Sequence, residues 1–417
     1  MPQSRAALVK PTPVPLPPEP LIVMLSGCRW SSCGGGQRPV QLARCFERMG
    51  YGVVYHNPMI AGCEQMGNIY TLDKPRFRRA INQLAECHDP RNLVINALPI
   101  ELFHAHSARL QAAGWRYVYD LIDDWPAFRA RGDLNYYDED DERAIMETAD
   151  VLTASAPSLL ERFGEWAGRE GALVRNGGPA APVARPWPMP PGWVTSKAGT
   201  IVYIGYLAGQ WFDWPLFRRT AQALPDVVFH VVGDNSRVRG NQAENIIYHG
   251  EMPYTECIAA AAWADVGIVP FRHLDICRAV DPIKLYDHWA MGQPLATTSV
   301  MTELAGRPHC HIAPTGARDI AAQVEAALLD APIQRAEVEQ LCAANSWDVR
   351  AAEIIAAVEA QCADSNSDRG RRGGQYPCPT TRGARVHGLH LRCGRRSCRE
   401  AGGAGAGHGD TEPAARG

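Results

Sequence analysis

The chain has 417 residues, of which 46% are hydrophobic and 21% are charged. This length exceeds what one compact core usually supports, so we expect two domains, and the composition excludes a fibrous or wholly disordered protein. The net charge of −3 divides into +5 over residues 363–417 and −8 over the rest. An acidic body argues against binding of nucleic acid by charge, so we expect no nucleic-acid partner.

The beginning of the chain shows no targeting segment. Residues 1–19 are rich in proline and are predicted to be disordered, and the apolar run Leu21–Leu25 is too short for a signal peptide or a membrane span. The thirteen cysteines lack the spacing of a zinc site, which favours reduced thiols. We therefore expect a cytoplasmic protein that is soluble or bound to the cytoplasmic membrane only at its surface.

Short apolar strands alternate with amphipathic helices over residues 20–180. Strands are predicted at 21–25, 53–55, 92–96, 117–119, 151–153 and 173–174. A glycine loop that includes Gly35 and Gly36 follows the first strand, and a helix that ends at Gly50 follows the loop. This alternation is typical of a parallel sheet that is covered on both faces.

Residues 181–199 interrupt the pattern with a segment rich in Pro, Ala and Gly, which we predict to be a linker. The alternation resumes over residues 200–345. Strands are predicted at 201–204, 227–232, 246–248, 266–269 and 295–297, and helices at 214–224, 254–264, 283–291 and 320–329. A last helix over 346–362 is long enough to cross back to the first half, and the Gly- and Arg-rich tail 363–417 is predicted to be disordered. Two such halves leave a cleft between the carboxyl ends of their strands, where open parallel sheets bind ligands.

Two glycines end strands of the second half, Gly205 and Gly233. Glycine at such a strand end lets backbone N–H groups approach a phosphate, although each glycine also fits an ordinary turn. A helix that starts near Pro282 places Lys284 and Asp287 on one face, three residues apart. The lysine can reach a diphosphate and the carboxylate can accept hydrogen bonds from paired sugar hydroxyls. The alternative is a surface ion pair.

The order of these motifs resembles the family-four retaining glycosyltransferases, which have the GT-B fold. The matching stretches are Gly35–Gly36, Ala149–Ser155, Asn176–Gly177, Ile204–Gly205, Pro225–Gly233, Asn245–Gly250, Ala264–Pro270 and Pro282–Pro294. Within the family, the cluster Trp211–Asp213 is similar to that of bacterial cell-surface polysaccharide enzymes of the teichuronic-acid type.

This resemblance implies an α/β protein in which two Rossmann-like parallel-sheet domains face each other across a cleft. It implies transfer of a sugar from a nucleotide-diphosphate donor, held by the second half, to a glycan or lipid-linked acceptor held by the first half. The reaction would retain the anomeric configuration without a metal or other cofactor, and a lipid-linked acceptor implies transient contact with the inner membrane face. The implied donor-binding residues are Gly35, Gly36, Gly205, Trp211, Asp213, Gly233, Gly250, Lys284 and Asp287.

The first half offers a carboxylate cluster at the end of the strand 117–119. Asp123 and Asp124 are candidates to orient an acceptor hydroxyl or accept its proton, and we assign them as catalytic together with Asp287. Carboxylates at this position also fit the cap of the next helix. The rings around Trp211 either stack on the donor or pack a helix. The acidic run 138–142 fits a solvated helix start better than a metal site.

The sequence also departs from the family pattern. Ala279 stands where the family often has the first of two acids separated by seven residues, the second being Asp287, and Asp281 and Asp275 are substitutes nearby. Asp287 itself is one methylene shorter than the usual glutamate. Two further hypotheses therefore stay open. One is a non-catalytic GT-B scaffold that partners an active transferase, and the other is a nucleotide-sugar epimerase of the same architecture.

Overall fold

A computed structural model describes residues 13–30, 36–56, 61–132, 134, 136–207, 209–234 and 243–370, with side chains to residue 361. Gly35, the first part of the Pro-rich start and the Arg-rich tail from residue 371 lie outside the described residues.

The first half is built on a sheet whose described strands run in the order β3-β4-β2-β1-β5-β6-β7-β8. The strands are β1 (Leu21–Leu25), β2 (Gly52–His56), β3 (Cys63–Met66), β4 (Ile69–Leu72), β5 (Leu93–Asn96), β6 (Arg116–Leu121), β7 (Val151–Ala154) and β8 (Ala172–Leu173). All neighbours pair in parallel except β3 and β4, which form an antiparallel edge. The helices are α1 (Arg38–Arg48), α2 (Lys74–Leu84), α3 (Glu101–Ala112), α4 (Trp125–Ala130), α5 (Glu139–Thr148) and α6 (Pro157–Ala167).

The second half is built on a parallel sheet with described strands in the order β11-β10-β9-β12-β13-β14. The strands are β9 (Thr200–Ile204), β10 (Val228–Val232), β11 (Ile246–Gly250), β12 (Val266–Val269), β13 (Leu295–Thr297) and β14 (Cys310–Ile312). The helices are α7 (Trp214–Ala223), α8 (Tyr254–Ala261), α9 (Asp275–Arg278), α10 (Ile283–Ala290), α11 (Ala321–Asp330), α12 (Arg335–Asn345) and α13 (Trp347–Gly370).

Both faces of the first sheet are covered, as its continuously apolar strands predicted. In β1, Leu21, Val23 and Leu25 point into one apolar cluster, whereas Ile22 and Met24 point into the cluster on the other face. Alternate residues of a strand point to opposite faces, so a run of five apolar residues fits only a strand that is buried on both sides.

The chain passes between the halves twice, and the two passages lie side by side. The N–H of Gly178 donates to the carbonyl of Asn345 at 3.0 Å, and the N–H of Trp347 donates to the carbonyl of Gly178 at 3.0 Å. From there α13 returns to the first half, where it packs against α1 and β7. Its apolar face is Trp347, Ala351, Ile354 and Val358.

Residues 13–19, the part of the Pro-rich start that the structure describes, are attached to the fold, so the disorder predicted for residues 1–19 does not extend over them. Val14 is buried, and its N–H donates to Oε1 of Gln83 on α2 at 3.0 Å. The apolar valine covers the α2 side of the first core, which the proline content alone did not indicate. In the part of the chain that the structure describes, no helix is both long and apolar enough to cross a membrane.

Candidate active site

The carboxyl ends of the two sheets face each other across a cleft, and a cavity of about 670 Å³ lies between them. The first half contributes the loop after β1, the start of α1 and the residues after β6. The second half contributes the ends of β9 to β12 and the start of α10. The described charged residues in the wall are Arg29, Arg38, Asp123, Asp234, Glu251, Asp281, Lys284 and Asp287.

Lys284 lies in the first turn of α10 and extends toward the end of β9. A Cβ atom on Gly205 would lie 2.7 Å from Cε and 3.0 Å from Nζ of Lys284, so the glycine provides the space that the lysine occupies. The rings of Tyr203 and Phe271 flank the ammonium at 5.7 and 5.5 Å from their centroids. This arrangement holds a cation at the strand end where the sequence predicted a diphosphate.

Asp287 lies one turn after Lys284, lines the cavity and is 5% exposed. Its Oδ1 accepts a hydrogen bond from the hydroxyl of Tyr254 at 2.6 Å. Burial raises the pKa of Asp287 to about 7, against the opposing effects of that hydrogen bond and the charge of Lys284. The ionised carboxylate is suited to accept hydrogen bonds from sugar hydroxyls, as predicted for this residue type.

Gly36 lines the cavity at the start of α1, and it contacts the second half. A Cβ atom on Gly36 would lie 2.7 Å from Cδ2 of Tyr254. The glycine therefore makes room for the tyrosine ring, and it also lies in the wall, where the sequence had indicated a contact with the donor. Gly35 lies outside the described residues.

The structure separates the two predicted acceptor-side carboxylates. Asp123 lines the cavity, and burial together with the charge of Asp124 raises its pKa to about 7. Asp124 instead caps α4, accepting from the N–H of Ala127 at 3.4 Å, and it pairs with Arg162 at 2.6 Å. The described wall of the cavity does not include Asp124, and its contacts match the capping alternative.

The cluster Trp211–Asp213 is divided in the same way. The ring of Trp211 lines the cavity, 5.7 Å from the ring of Tyr206 and 6.4 Å from that of Phe128 in the first half. The carboxylate of Asp213 caps α7, accepting from the N–H of Leu216 at 2.9 Å. Asp213 is not part of the described wall, so its position does not support the donor contact that the sequence indicated.

Gly233 and Gly250 also stand outside the described wall, although their neighbours Asp234 and Glu251 belong to it. A Cβ atom on Gly233 would lie 1.9 Å from the carbonyl oxygen of Gly205, so Gly233 allows β9 and β10 to end close together. Gly250 has a φ of +74°, which favours glycine. Both glycines therefore meet a requirement of the backbone at the ends of β10 and β11, next to the wall of the cavity.

Sequence reasoning missed Arg38, a buried side chain in the wall of the cavity. Its Nε and Nη2 each donate to the carboxylate of Asp120 at 2.8 Å, and Nη1 donates to the carbonyl of Arg175 at 2.9 Å. Thr153 also donates to Asp120, at 2.7 Å. Both carboxylate oxygens of Asp120 therefore accept hydrogen bonds from side chains of the first half. An arginine at a helix start beside a glycine loop was the available signal, but its partner is 82 residues away.

Asp281 is a buried carboxylate at the junction of the halves. Its Oδ2 accepts from the N–H of Asn176 at 2.7 Å, and the hydroxyl of Tyr286 donates to it. Arg175 and Arg307 lie 3.7 and 3.6 Å from its Oδ1. Burial raises the pKa of Asp281 above its usual value. These contacts occupy the carboxylate, which reduces its fitness as a substitute for the acid missing at position 279.

Neither Ala279 nor Asp275 places a carboxylate in the described wall of the cavity. Ala279 is 7% exposed and packs with the apolar cluster of the first half. Asp275 is exposed and pairs with Arg278 at 3.2 Å, outside the described wall.

Among the residues that the structure describes, no group of three or more His, Cys, Asp or Glu side chains is arranged to hold a metal ion. In the acidic run 138–142, Asp138 caps α5.

Comparison with solved structures finds the same architecture in glycosyltransferases. A glycosyltransferase from Rickettsia africae matches with a TM-score of 0.56 and 10% identity, over 82% of this chain and 98% of that chain. A sucrose-phosphate synthase from Thermosynechococcus elongatus matches with a TM-score of 0.52 and 15% identity, over 84% and 98%. A trehalose-6-phosphate synthase, described for glycosyl transfer with retention, matches with a TM-score of 0.53 and 11% identity, over 82% and 99%.

No protein-family model matches the sequence, and no curated protein matches it significantly. At these identities the structural matches establish the fold, which is the two-domain GT-B arrangement that the sequence predicted.

Proposed function

We propose that this protein transfers a sugar from a nucleotide-diphosphate donor to an acceptor, with retention and without a required metal ion. The observation that carries the proposal is the pairing of Lys284 beside Gly205 with the buried carboxylate of Asp287 on one face of α10. A cation suits a diphosphate and a carboxylate suits the hydroxyls of a ribose, and this face presents both, three residues apart.

The chemical task is to stabilise the charge of the departing nucleoside diphosphate. Lys284 supplies one positive charge, and the start of α10 adds the positive end of a helix whose first turn has no side-chain cap. These groups perform the role that a divalent cation performs in other phosphate sites. The names of the matching structures, including one described for transfer with retention, support the reaction class.

The first half would bind the acceptor. Asp123 is the group we assign to orient the acceptor hydroxyl and take its proton, because it lines the cavity with a pKa of about 7. The proposed acceptor is a glycan carried on a lipid, in cell-surface polysaccharide synthesis at the cytoplasmic membrane face. Its support is the sequence resemblance around Trp211. Two of the matching structures are named for sugar phosphates, which makes a sugar-phosphate acceptor the second candidate.

A non-catalytic scaffold is the alternative that a specific observation favours. The position of the missing acid, Ala279, is buried and packs with the apolar cluster of the first half. A scaffold would bind a partner transferase without turning over a donor by itself.

Thermal unfolding against UDP, GDP, ADP and CDP tests the donor site. A nucleotide at one hundred times its dissociation constant stabilises the folded state by about 2.7 kcal/mol. We expect protection by one nucleotide, loss of that protection in Asp287→Ala and Lys284→Met, and full protection in the exposed control Asp275→Ala. Protection by none of the four would contradict the proposal.

Turnover separates the enzyme from its alternatives. The nucleotide that protects is supplied as its sugar conjugates, and release of nucleoside diphosphate is measured with lipid-linked glycan or with sugar phosphate. Protection without any turnover would favour the scaffold, and a changed sugar without acceptor would favour the epimerase.

A further inference from the structure

Tyr254, the first residue of α8, contacts both sides of the cleft. Its hydroxyl donates to Oδ1 of Asp287 in the second half at 2.6 Å. Its ring lies so close to Gly36 of the first half that a Cβ atom there would stand 2.7 Å from Cδ2 and 3.0 Å from Cε2 of the ring. The tyrosine also lines the cavity itself.

The hydrogen bond leaves one oxygen of Asp287 for a ligand. Oδ1 is engaged by Tyr254, and among the described residues no other hydrogen bond to the carboxylate is found. The two oxygens of a carboxylate have a fixed geometry, so the hydrogen bond at Oδ1 also sets the direction in which Oδ2 points.

We infer that Tyr254 is a positioning residue for the donor. Its hydroxyl orients the Asp287 carboxylate toward the ribose hydroxyls, and the packing of its ring against Gly36 makes that orientation depend on the first half. This inference rests on the proposed function, since it concerns the same donor site. It also assigns Gly36 a role that needs no contact with the nucleotide.

The charged and titratable groups around Tyr254 and Asp287 determine how nucleotide binding depends on pH. Lys284 and the Tyr254 hydroxyl both favour the ionised form of Asp287, whose pKa burial raises to about 7. Burial, and then the charge of Asp287, raise the pKa of Tyr254 well above its usual value, with Cys257 and Arg44 as further neighbours. The tyrosine therefore stays a donor throughout the neutral range.

The test is nucleotide affinity by titration calorimetry between pH 6 and 9, with whichever of UDP, GDP, ADP and CDP protects the wild-type protein. Wild-type affinity should fall as the pH drops through the pKa of Asp287. In Tyr254→Phe the loss of a hydrogen bond to a charged group should move that midpoint upward by about one pH unit and weaken binding at pH 8 about three- to tenfold. Gly36→Ala, which displaces the ring, should move the midpoint in the same direction.

Two controls make the readout specific. Asp287→Asn, measured over the same pH range, reports the contribution of the nucleotide phosphates alone, which titrate near pH 6. Tyr70→Phe, on the β4 strand outside the described wall, is the matched removal of a phenol hydroxyl and should leave the profile unchanged. Circular dichroism and the Tm of each variant confirm that it is folded.

The failure of the inference can be told apart from the failure of the proposed function. If no nucleotide binds the wild-type protein, both are overturned. If a nucleotide binds and Asp287→Asn weakens it, but Tyr254→Phe and Gly36→Ala keep the wild-type midpoint, the donor site stands and the role of Tyr254 is overturned.

Discussion

At the end of β9, the side chain of Lys284 occupies the space that a side chain on Gly205 would fill. A Cβ atom on Gly205 would lie 2.7 Å from Cε of Lys284, and Gly205 has a φ of +151°. We therefore expect Gly205→Ala to displace the lysine and to weaken nucleotide binding about tenfold or more, as loss of a charged hydrogen bond would. Titration calorimetry with the protecting nucleotide measures the change.

A second glycine, Gly114, provides the control that distinguishes displacement of Lys284 from the effect of backbone strain. Gly114 has a φ of +99°, and a Cβ atom on it would meet nothing within 4 Å. Gly114→Ala should lower stability by about 1 kcal/mol through its backbone conformation but leave nucleotide affinity unchanged. Equal binding losses in the two alanine variants would mean that the displaced lysine is not the cause.

Asp281 holds the junction of the halves, so its removal should be far more costly than that of a surface carboxylate. Asp281→Ala removes the buried acceptor of the Asn176 N–H and the Tyr286 hydroxyl and the carboxylate near Arg307 and Arg175, of which Arg175 keeps Glu303 at 2.8 Å. We expect a loss of about 3 kcal/mol in the free energy of unfolding. The exposed ion pair of Asp275 predicts a loss of about 0.5 kcal/mol or less in Asp275→Ala.

Urea unfolding of the two variants decides the point. Similar losses in both would show that the contacts of Asp281 contribute little, and would reopen its candidacy as a substrate-binding acid.

The sequence predicted the strands well because burial on both faces leaves a continuous apolar run. The run of β1, and the runs of β12 and β13, match the observed bounds. The strand β3 was missed because three of its four residues are exposed and polar or small, so no apolar period marks it. The short β14 at the other edge was missed for the same reason, since its three residues are only partly buried.

The candidate site was predictable where its residues are neighbours in the chain. Lys284 and Asp287 are one helical turn apart, so the helix pattern alone brings them together. Tyr254 and Asp287 are 33 residues apart, and Gly36 lies in the other half, so only the packed fold reveals that they meet.

One local signal was available for the two carboxylates that lie outside the described wall of the cavity. Asp124 and Asp213 each precede a Trp-Pro pair, and each caps the helix that begins there. Aspartate followed by proline within the first helical turn is typical of a helix start. The repeated tripeptide thus favoured the capping interpretation over a catalytic or donor-binding one.

Asp287 should reduce stability at alkaline pH. Its pKa in the folded state is raised to about 7, so the folded state holds a proton that the unfolded state releases near pH 4. The resulting cost grows as the pH rises from about 4 and is fully present above about pH 7. Asp287→Asn keeps an acceptor for Tyr254 and removes the charge, so it should raise the free energy of unfolding while it weakens nucleotide binding.

Urea unfolding at two pH values measures this effect. The gain in Asp287→Asn should be at most about 4 kcal/mol at pH 8.5 and at most about 2 kcal/mol at pH 5. Asp275→Asn, at an exposed position, is the matched control and should change stability little at either pH. A gain that does not depend on pH would indicate that the charge of Asp287 is not the cause.

His309 joins the edge of the second sheet to two helices, and its bonding requires a charged ring. Nδ1 lies 2.8 Å from Oδ2 of Asp330 on α11, and Nε2 lies 2.9 Å from Oε1 of Glu337 on α12. Both ring nitrogens must donate, so the imidazolium is the form that satisfies both carboxylates. Although burial acts in the opposite direction, the hydrogen bonds to Asp330 and Glu337 raise the pKa of His309 above its usual value.

This contribution to stability is fully present below the unfolded pKa of histidine, near 6.5, and is lost as the pH rises through the higher folded pKa. His309 has a φ of +55°, which asparagine tolerates better than most residues, so His309→Asn removes the ring without adding backbone strain. We expect His309→Asn to lower the free energy of unfolding by about 1 kcal/mol more at pH 6 than at pH 9. An equal loss at both pH values would show that the ring contributes by packing, because packing does not depend on its charge.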